Sequence, residues 1–91
     1  MDMNYDIDAY VENMDKLRRG LGLSVVEFCD HIGVKAFTYY SWISRKRKPG
    51  LWLAVNILNK FRVDLSVLAN KKNGDDVILR IAATIKERGI V

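Results

Sequence analysis

The sequence predicts an all-α chain, with five helices between residues 8 and 69 and an additional C-terminal helix within residues 74–91. Three observations carry this. Apolar residues recur along the chain at the three- and four-residue spacing of a helix face. Side chains suited to capping, Asp8, Ser24 and Asp64, stand in front of three of those stretches. Glycine or proline interrupts the pattern at Gly20-Leu21-Gly22, Gly33, Pro49-Gly50 and Gly74. At 91 residues the chain has room for one modest core, so residues 1–91 are expected to form a single domain.

Residues 1–7 read as a loose arm. From Asp8, the expected N-cap, Tyr10, Val11, Met14 and Leu17 repeat at helical spacing until the glycine pair ends the element. Lys16, Arg18 and Arg19 near its end complement the helix dipole. Ser24 with Glu27 three residues on forms a capping-box pattern. Behind it Val25, Phe28, Cys29 and Ile32 share one face, while Glu27, Asp30 and His31 fall away from it. Gly33 follows directly, where a helix end favours positive φ.

The next helix is expected from about Lys35 to Ser44. The angular count puts Thr38, Tyr39, Trp42 and Ile43 on a core arc and Ala36, Phe37, Tyr40, Ser41 and Ser44 on the opposite one. Cys29 is small enough to sit where these two short helices cross. As the only cysteine it can form no intrachain disulfide, so a buried, inert thiol is expected. Two short helices joined by a tight turn over residues 24–44 have the helix-turn-helix order, in which the first braces a second that can enter the DNA major groove.

Arg45-Lys46-Arg47-Lys48-Pro49-Gly50 then reads as a basic loop free to lie along a phosphate strand. The fourth helix, Leu51 to Phe61, is expected to bury Leu51, Ala54, Val55, Ile57, Leu58 and Phe61, with Trp52 off that arc beside Asn56 and Asn59. Asp64 caps a short fifth helix, and the link Asn70 to Gly74 leads to a last helix from Asp75 to about Arg88. There Val77, Ile78, Ile81, Ala82 and Ile85 occupy one arc, and Leu79, Ala83 and Ile90 adjoin it. That is more apolar surface than one small domain covers, so a homodimer is expected, with Trp52, Leu79, Ala83 and Ile90 as contacts.

The net charge is +4, and its distribution is more telling than its size. No acid stands between Asp30 and Asp64, whereas Lys35, Arg45, Lys46, Arg47, Lys48, Lys60 and Arg62 are all basic. Residues 1 to 15 hold five of the eleven acids, so the acidic end is expected to keep clear of DNA while the middle faces phosphates. No apolar run approaches the ~20 residues that span a bilayer, and the start MDMNYDIDAY lacks signal-peptide character, so a cytoplasmic protein without a membrane partner is expected. His31 is the only histidine, and no nucleophile-base pair, glycine-rich phosphate loop or metal cluster is spaced for catalysis. Neither an enzyme nor a cofactor or metal is expected.

Leu23-Ser24, Glu27-Phe28-Cys29, Ile32-Gly33-Val34, Tyr39, Trp42 and Lys46-Arg47-Lys48-Pro49, followed by the apolar helix 51–61 and by Val63-Asp64-Leu65 to Leu68, resemble the phage repressor and Cro-like helix-turn-helix family of transcriptional regulators. The likeness covers about residues 10 to 70. It implies a lambda-repressor-like domain over residues 8–69 that binds a double-stranded DNA operator as a dimer. It further implies base contacts from Ala36, Phe37, Tyr40 and Ser41, and phosphate contacts near Ser24 and Val25, at Lys35, and from Ser44, Arg45, Lys46, Arg47 and Lys48. Three positions differ from the family: Val25 where a glutamine is common, Ile43 where a glutamate is common, and Arg45 where a glycine usually closes the helix. Phe37 and Tyr40 also replace the commoner polar side chains. Two aromatics on that face also fit a protein-binding module, an anti-repressor or antitoxin-like partner built on the same scaffold.

Overall fold

A computed structural model describes residues 6–91 of the chain. Its apolar repeats form helices throughout: α1 (Ile7–Gly20), α2 (Val25–Ile32), α3 (Ala36–Ile43), α4 (Leu51–Phe61), α5 (Leu65–Leu68) and α6 (Asp75–Glu87). No strand forms among the described residues, so the chain is all-α there. None of these helices is long and apolar enough to cross a membrane.

The first helix starts earlier than expected. Asp6, not Asp8, is the N-cap, and its carboxylate accepts from the amides of Asp8 and Ala9. Asp6 also ties its own amide to the Ala69 carbonyl at 2.8 Å, so the chain is anchored from this point on. Ile7 is therefore helical, and the rest of the expected arm, residues 1–5, lies outside the described residues.

Most local signals act as the residues dictate. Ser24 and Glu27 form both halves of the capping box, at 3.1 and 2.8 Å. Gly33 closes α2 with φ 74°, a conformation that costs a residue with a Cβ about 1 kcal/mol or more. Asp64 caps α5 through the Ser66 amide. Lys16 reaches across to Asp75 in the first turn of α6 at 2.6 Å, and that cation holds the Asp75 carboxyl below the usual carboxylate range.

The core lies between α1, α6 and the α2–α3–α4 group. Phe28 stacks flat on Phe61 with ring centroids 5.5 Å apart and meets Tyr39 edge-on at 5.9 Å. Leu17, Met14, Leu53, Ile57 and Ile78 complete it, all fully buried. Each such side chain contributes about 1.5–3 kcal/mol by burial. α1 makes its most extensive packing against α6. Gly20 permits that approach, because a Cβ there would stand 2.9 Å from the Ala82 methyl and 3.1 Å from Leu79.

The rotation of α4 departs from expectation. Leu53, Ala54, Ile57 and Phe61 face inward, whereas Leu51, Val55 and Leu58, expected in the core, are exposed. Residues 51–58 are apolar at every position but Asn56, so periodicity alone cannot fix which side turns in. Asn56 resolves the phase by donating its amide to the Ile32 carbonyl at the end of α2, 3.1 Å away. On α6 the buried residues are Ile78, Ala82 and Ile85, with Val77 and Ile81 half-buried, close to the expected arc.

Candidate nucleic-acid interface

The surface of interest is built from the start of α2, the outer side of α3 and the loop that follows it. Ser24 is exposed at the head of α2, and Val25 beside it turns its side chain toward the core. α3 opens after Lys35, which is exposed and supplies no side-chain cap, and its first turn contains no acid. The free amides and the positive end of the helix dipole are therefore left facing outward beside a cation.

The inner side of α3 fixes its pose. Tyr39 is fully buried and Trp42 nearly so. Tyr39 donates its hydroxyl to Asp15 Oδ1 at 2.7 Å, and Arg18 donates to the same oxygen at 3.0 Å and to the Leu23 carbonyl at 2.9 Å. Partial burial pushes the Asp15 carboxyl up, but the hydrogen bonds from Tyr39 and Arg18, with the Arg18 and Arg19 charges, outweigh it and hold it below the usual range. Burial and the adjacent carboxylate drive the Tyr39 hydroxyl well above its ordinary value, so it stays protonated as a donor. Nothing in the sequence pattern pointed to this three-residue clamp between α1 and α3.

On the outer side Phe37 is 74% exposed and Tyr40 57%. Ala36 between them and the core is half-buried. Ser41 was expected outward with them and is not: it is 9% exposed, and its hydroxyl donates to the Thr38 carbonyl at 2.6 Å. Ile43, expected inside, is exposed. The rear of α3 is narrow, and Tyr39 and Trp42 fill it. Phe37, Tyr40, Ser41, Ser44 and Lys46 together line one surface depression of about 290 Å³.

The basic loop folds back on the end of α3. The amides of Lys46 and Arg47 both donate to the Ser41 carbonyl, at 3.0 and 3.1 Å. Arg45 takes φ 66°, the left-handed conformation that a glycine adopts at lower cost. Its guanidinium donates to the Trp42 and Ile43 carbonyls and sits 3.0 Å from Asp8 Oδ1. Arg45, expected to face phosphates, stands here beside an intramolecular carboxylate. Asp8, on the first turn of α1, is the acidic residue that meets the basic segment. Lys35, Lys46, Arg47 and Lys48 are exposed and make no ion pair among the described residues.

No protein-family model, curated protein or solved structure matches this chain.

The four expected dimer contacts stand in different local settings. Trp52 is 48% exposed, and its indole packs on Trp42 with ring centroids 6.1 Å apart. Leu79 and Ala83 are exposed on α6, with Leu79 beside Lys16, Arg19 and Asp75. Ile90 tucks against the domain's own core, in a hollow shared with Phe61, Val63 and Ile81. Cys29 is buried, and burial pushes its thiol up, as for an unreactive sulfur. His31 is half-buried with its ring 5.8 Å from Phe61. Among the described residues no group of three or more His, Cys, Asp or Glu is arranged to hold a metal.

Proposed function

We propose that this chain is a sequence-specific duplex-DNA-binding transcriptional regulator of the phage repressor and Cro type, with α2, the Gly33 turn and α3 acting as its helix-turn-helix. One observation carries the reading: the exposed Phe37–Tyr40 side of α3 is flanked in the chain by Lys35, Lys46, Arg47 and Lys48, exposed cations with no ion pair among the described residues, in a stretch with no acid from residue 31 to 63. In this reading α3 enters the major groove. Lys35, the Ser24 end of α2 and Lys46 to Lys48 hold phosphates and set the register. Phe37 and Tyr40 meet base edges, their rings against thymine methyls and the Tyr40 hydroxyl on a hydrogen-bonding edge. Ser41, with its hydroxyl turned back into α3, supports the helix and is not among the base readers.

The test is binding of the full chain to a pool of random duplexes, followed by selection of the bound sites. We expect binding whose affinity falls by about a factor of 10 or more between 50 and 200 mM salt, as release of several counterions requires. Arg47→Ala should weaken every duplex alike. Indifference to all duplexes at low ionic strength overturns the reading.

A second reading is a protein-binding module of the anti-repressor or antitoxin type. It is favoured by the outer side of α3 itself, where two large exposed aromatics stand and no Gln, Asn or Arg occurs. Failure to bind duplex, with retention of a protein partner sensitive to Phe37→Ala, would select it.

A further inference from the structure

We propose that the hollow between the end of α4 and α6 is a binding site for a small carboxylic acid with an apolar body. The hollow measures about 290 Å³, and its floor is made by Phe61, Val63, Ile81, Ile85 and Ile90. Phe61, Val63 and Ile85 are buried members of the core, and Phe61 is held flat against Phe28 at 5.5 Å. The floor is therefore formed before anything binds, as ligand pockets generally are.

Three arginines, Arg62, Arg80 and Arg88, line the same hollow. Arg80, Thr84 and Arg88 follow at four-residue steps, which keeps them on one side of α6. Arg62 comes from the other wall, the C-cap of α4, where it takes φ 64°. A glycine adopts that conformation at lower cost, but only a side chain can bring a cation to the rim. All three arginines are exposed, so their stems can lie along the apolar wall with the guanidinium groups in water. Among the described residues none of the three is in an ion pair, and no acid lines the hollow.

Charge and size together select the occupant. An apolar floor beneath three unpaired guanidinium groups is matched by a molecule that carries an apolar body and an anionic head, and the arginine fork pairs bidentately with a planar carboxylate. At about 30 Å³ for a group the size of a water, the hollow admits roughly ten non-hydrogen atoms. A carboxylate takes about three of these and leaves the rest for the floor, where the bulkier phosphate head would displace them. The DNA backbone offers charge with no such body. No residue of α2, α3 or the basic loop lines the hollow, so the site is separate from the proposed reading surface and does not depend on the DNA reading.

Calorimetric titration of the full chain with octanoate, a ten-atom acid, tests this, with the helical circular dichroism of each variant followed in parallel. Octanoate should bind with a dissociation constant of about 1 mM or tighter, as ten well-placed atoms allow. Octan-1-ol, which has the body without the charge, and inorganic phosphate, which has charge without the body, should each bind about 10-fold more weakly or worse. Arg80→Gln combined with Arg88→Gln should weaken octanoate about 10-fold or more with helicity unchanged, since both side chains are exposed. Lys72→Gln combined with Lys86→Gln removes the same net charge from exposed positions outside the hollow and should leave octanoate binding as it is. Thr84→Trp, which places an indole over the floor, should block binding and stands in for the arginine pair if that variant unfolds. No octanoate binding up to about 10 mM, octanol or phosphate binding as tightly as octanoate, or wild-type affinity in the folded arginine or Thr84 variant would each overturn the proposal. So would an equal loss in the lysine pair.

Discussion

Tyr39 and Asp15 are joined by a 2.7 Å hydrogen bond that ties the buried side of α3 to the middle of α1. The bond matters because the outward pose of Phe37 and Tyr40 is set from beneath. Asp15→Ala strands the Tyr39 hydroxyl and part of the Arg18 guanidinium, at a cost of about 1–3 kcal/mol. For a domain of this size that lowers Tm by about 4–8 °C per kcal/mol, which calorimetry reads.

The same carboxylate sets a pH dependence. Its folded-state pKa is depressed below the ordinary value of 3.8, so its stabilisation is present above that value and lost as the pH falls through the folded pKa. Wild-type stability should therefore fall more steeply below about pH 4 than that of Asp15→Asn. Parallel acid profiles for the two chains would contradict the assignment.

Gly20 is expected to resist substitution although it ends a helix, where alanine is intrinsically better. A methyl there meets the Ala82 methyl at 2.9 Å, closer than carbon atoms pack. Overpacking of about 1–3 kcal/mol against a propensity gain of at most about 1 predicts a net loss of about 1–2 kcal/mol for Gly20→Ala. Adding Ala82→Gly should recover part of the loss. Denaturant midpoints of the three chains decide it.

Three substitutions on α3 separate reading from support. Phe37→Ala and Tyr40→Ala remove exposed rings, so stability should stay within about 0.5 kcal/mol while the selected duplex sequence shifts. Ser41→Ala loses only an intrahelical hydrogen bond to Thr38 and should leave site preference as it is. A shift with Ser41→Ala and none with Tyr40→Ala would reverse these roles.

Asp8 is expected to restrain binding. Its carboxylate holds Arg45 at 3.0 Å, on side chains 65% and 41% exposed, so the pair itself contributes little to stability. Asp8→Asn should free the guanidinium for phosphate, tightening all duplexes alike and steepening the salt dependence by up to about one counterion. Unchanged affinity would show that Arg45 stays on the helix end whether or not Asp8 is charged.

Local chemistry made much of the fold legible. Ser24 with Glu27, Gly33 and Asp64 are short-range devices whose partners lie within a few residues, and each acts as its residue type requires. Features that depend on distant segments were not legible. Spacing pointed to Asp8 as the cap of α1, but the role fell to Asp6, whose amide also reaches Ala69. The phase of α4 was hidden by apolar residues on all sides and is set by Asn56 against α2. Ser41 shares the angle of Tyr40, yet a short hydroxyl bends to the nearest carbonyl where a long ring must project. Asp8 and Arg45 meet only because α1 runs past the end of α3, a fact of tertiary packing.

The only two tryptophans of the chain are in contact, Trp42 beneath α3 and Trp52 half-exposed on α4. The protein thus contains its own optical probe, placed behind the proposed reading helix. Duplex seated on α3 should alter the quenching of this pair, so one unlabelled titration can follow binding.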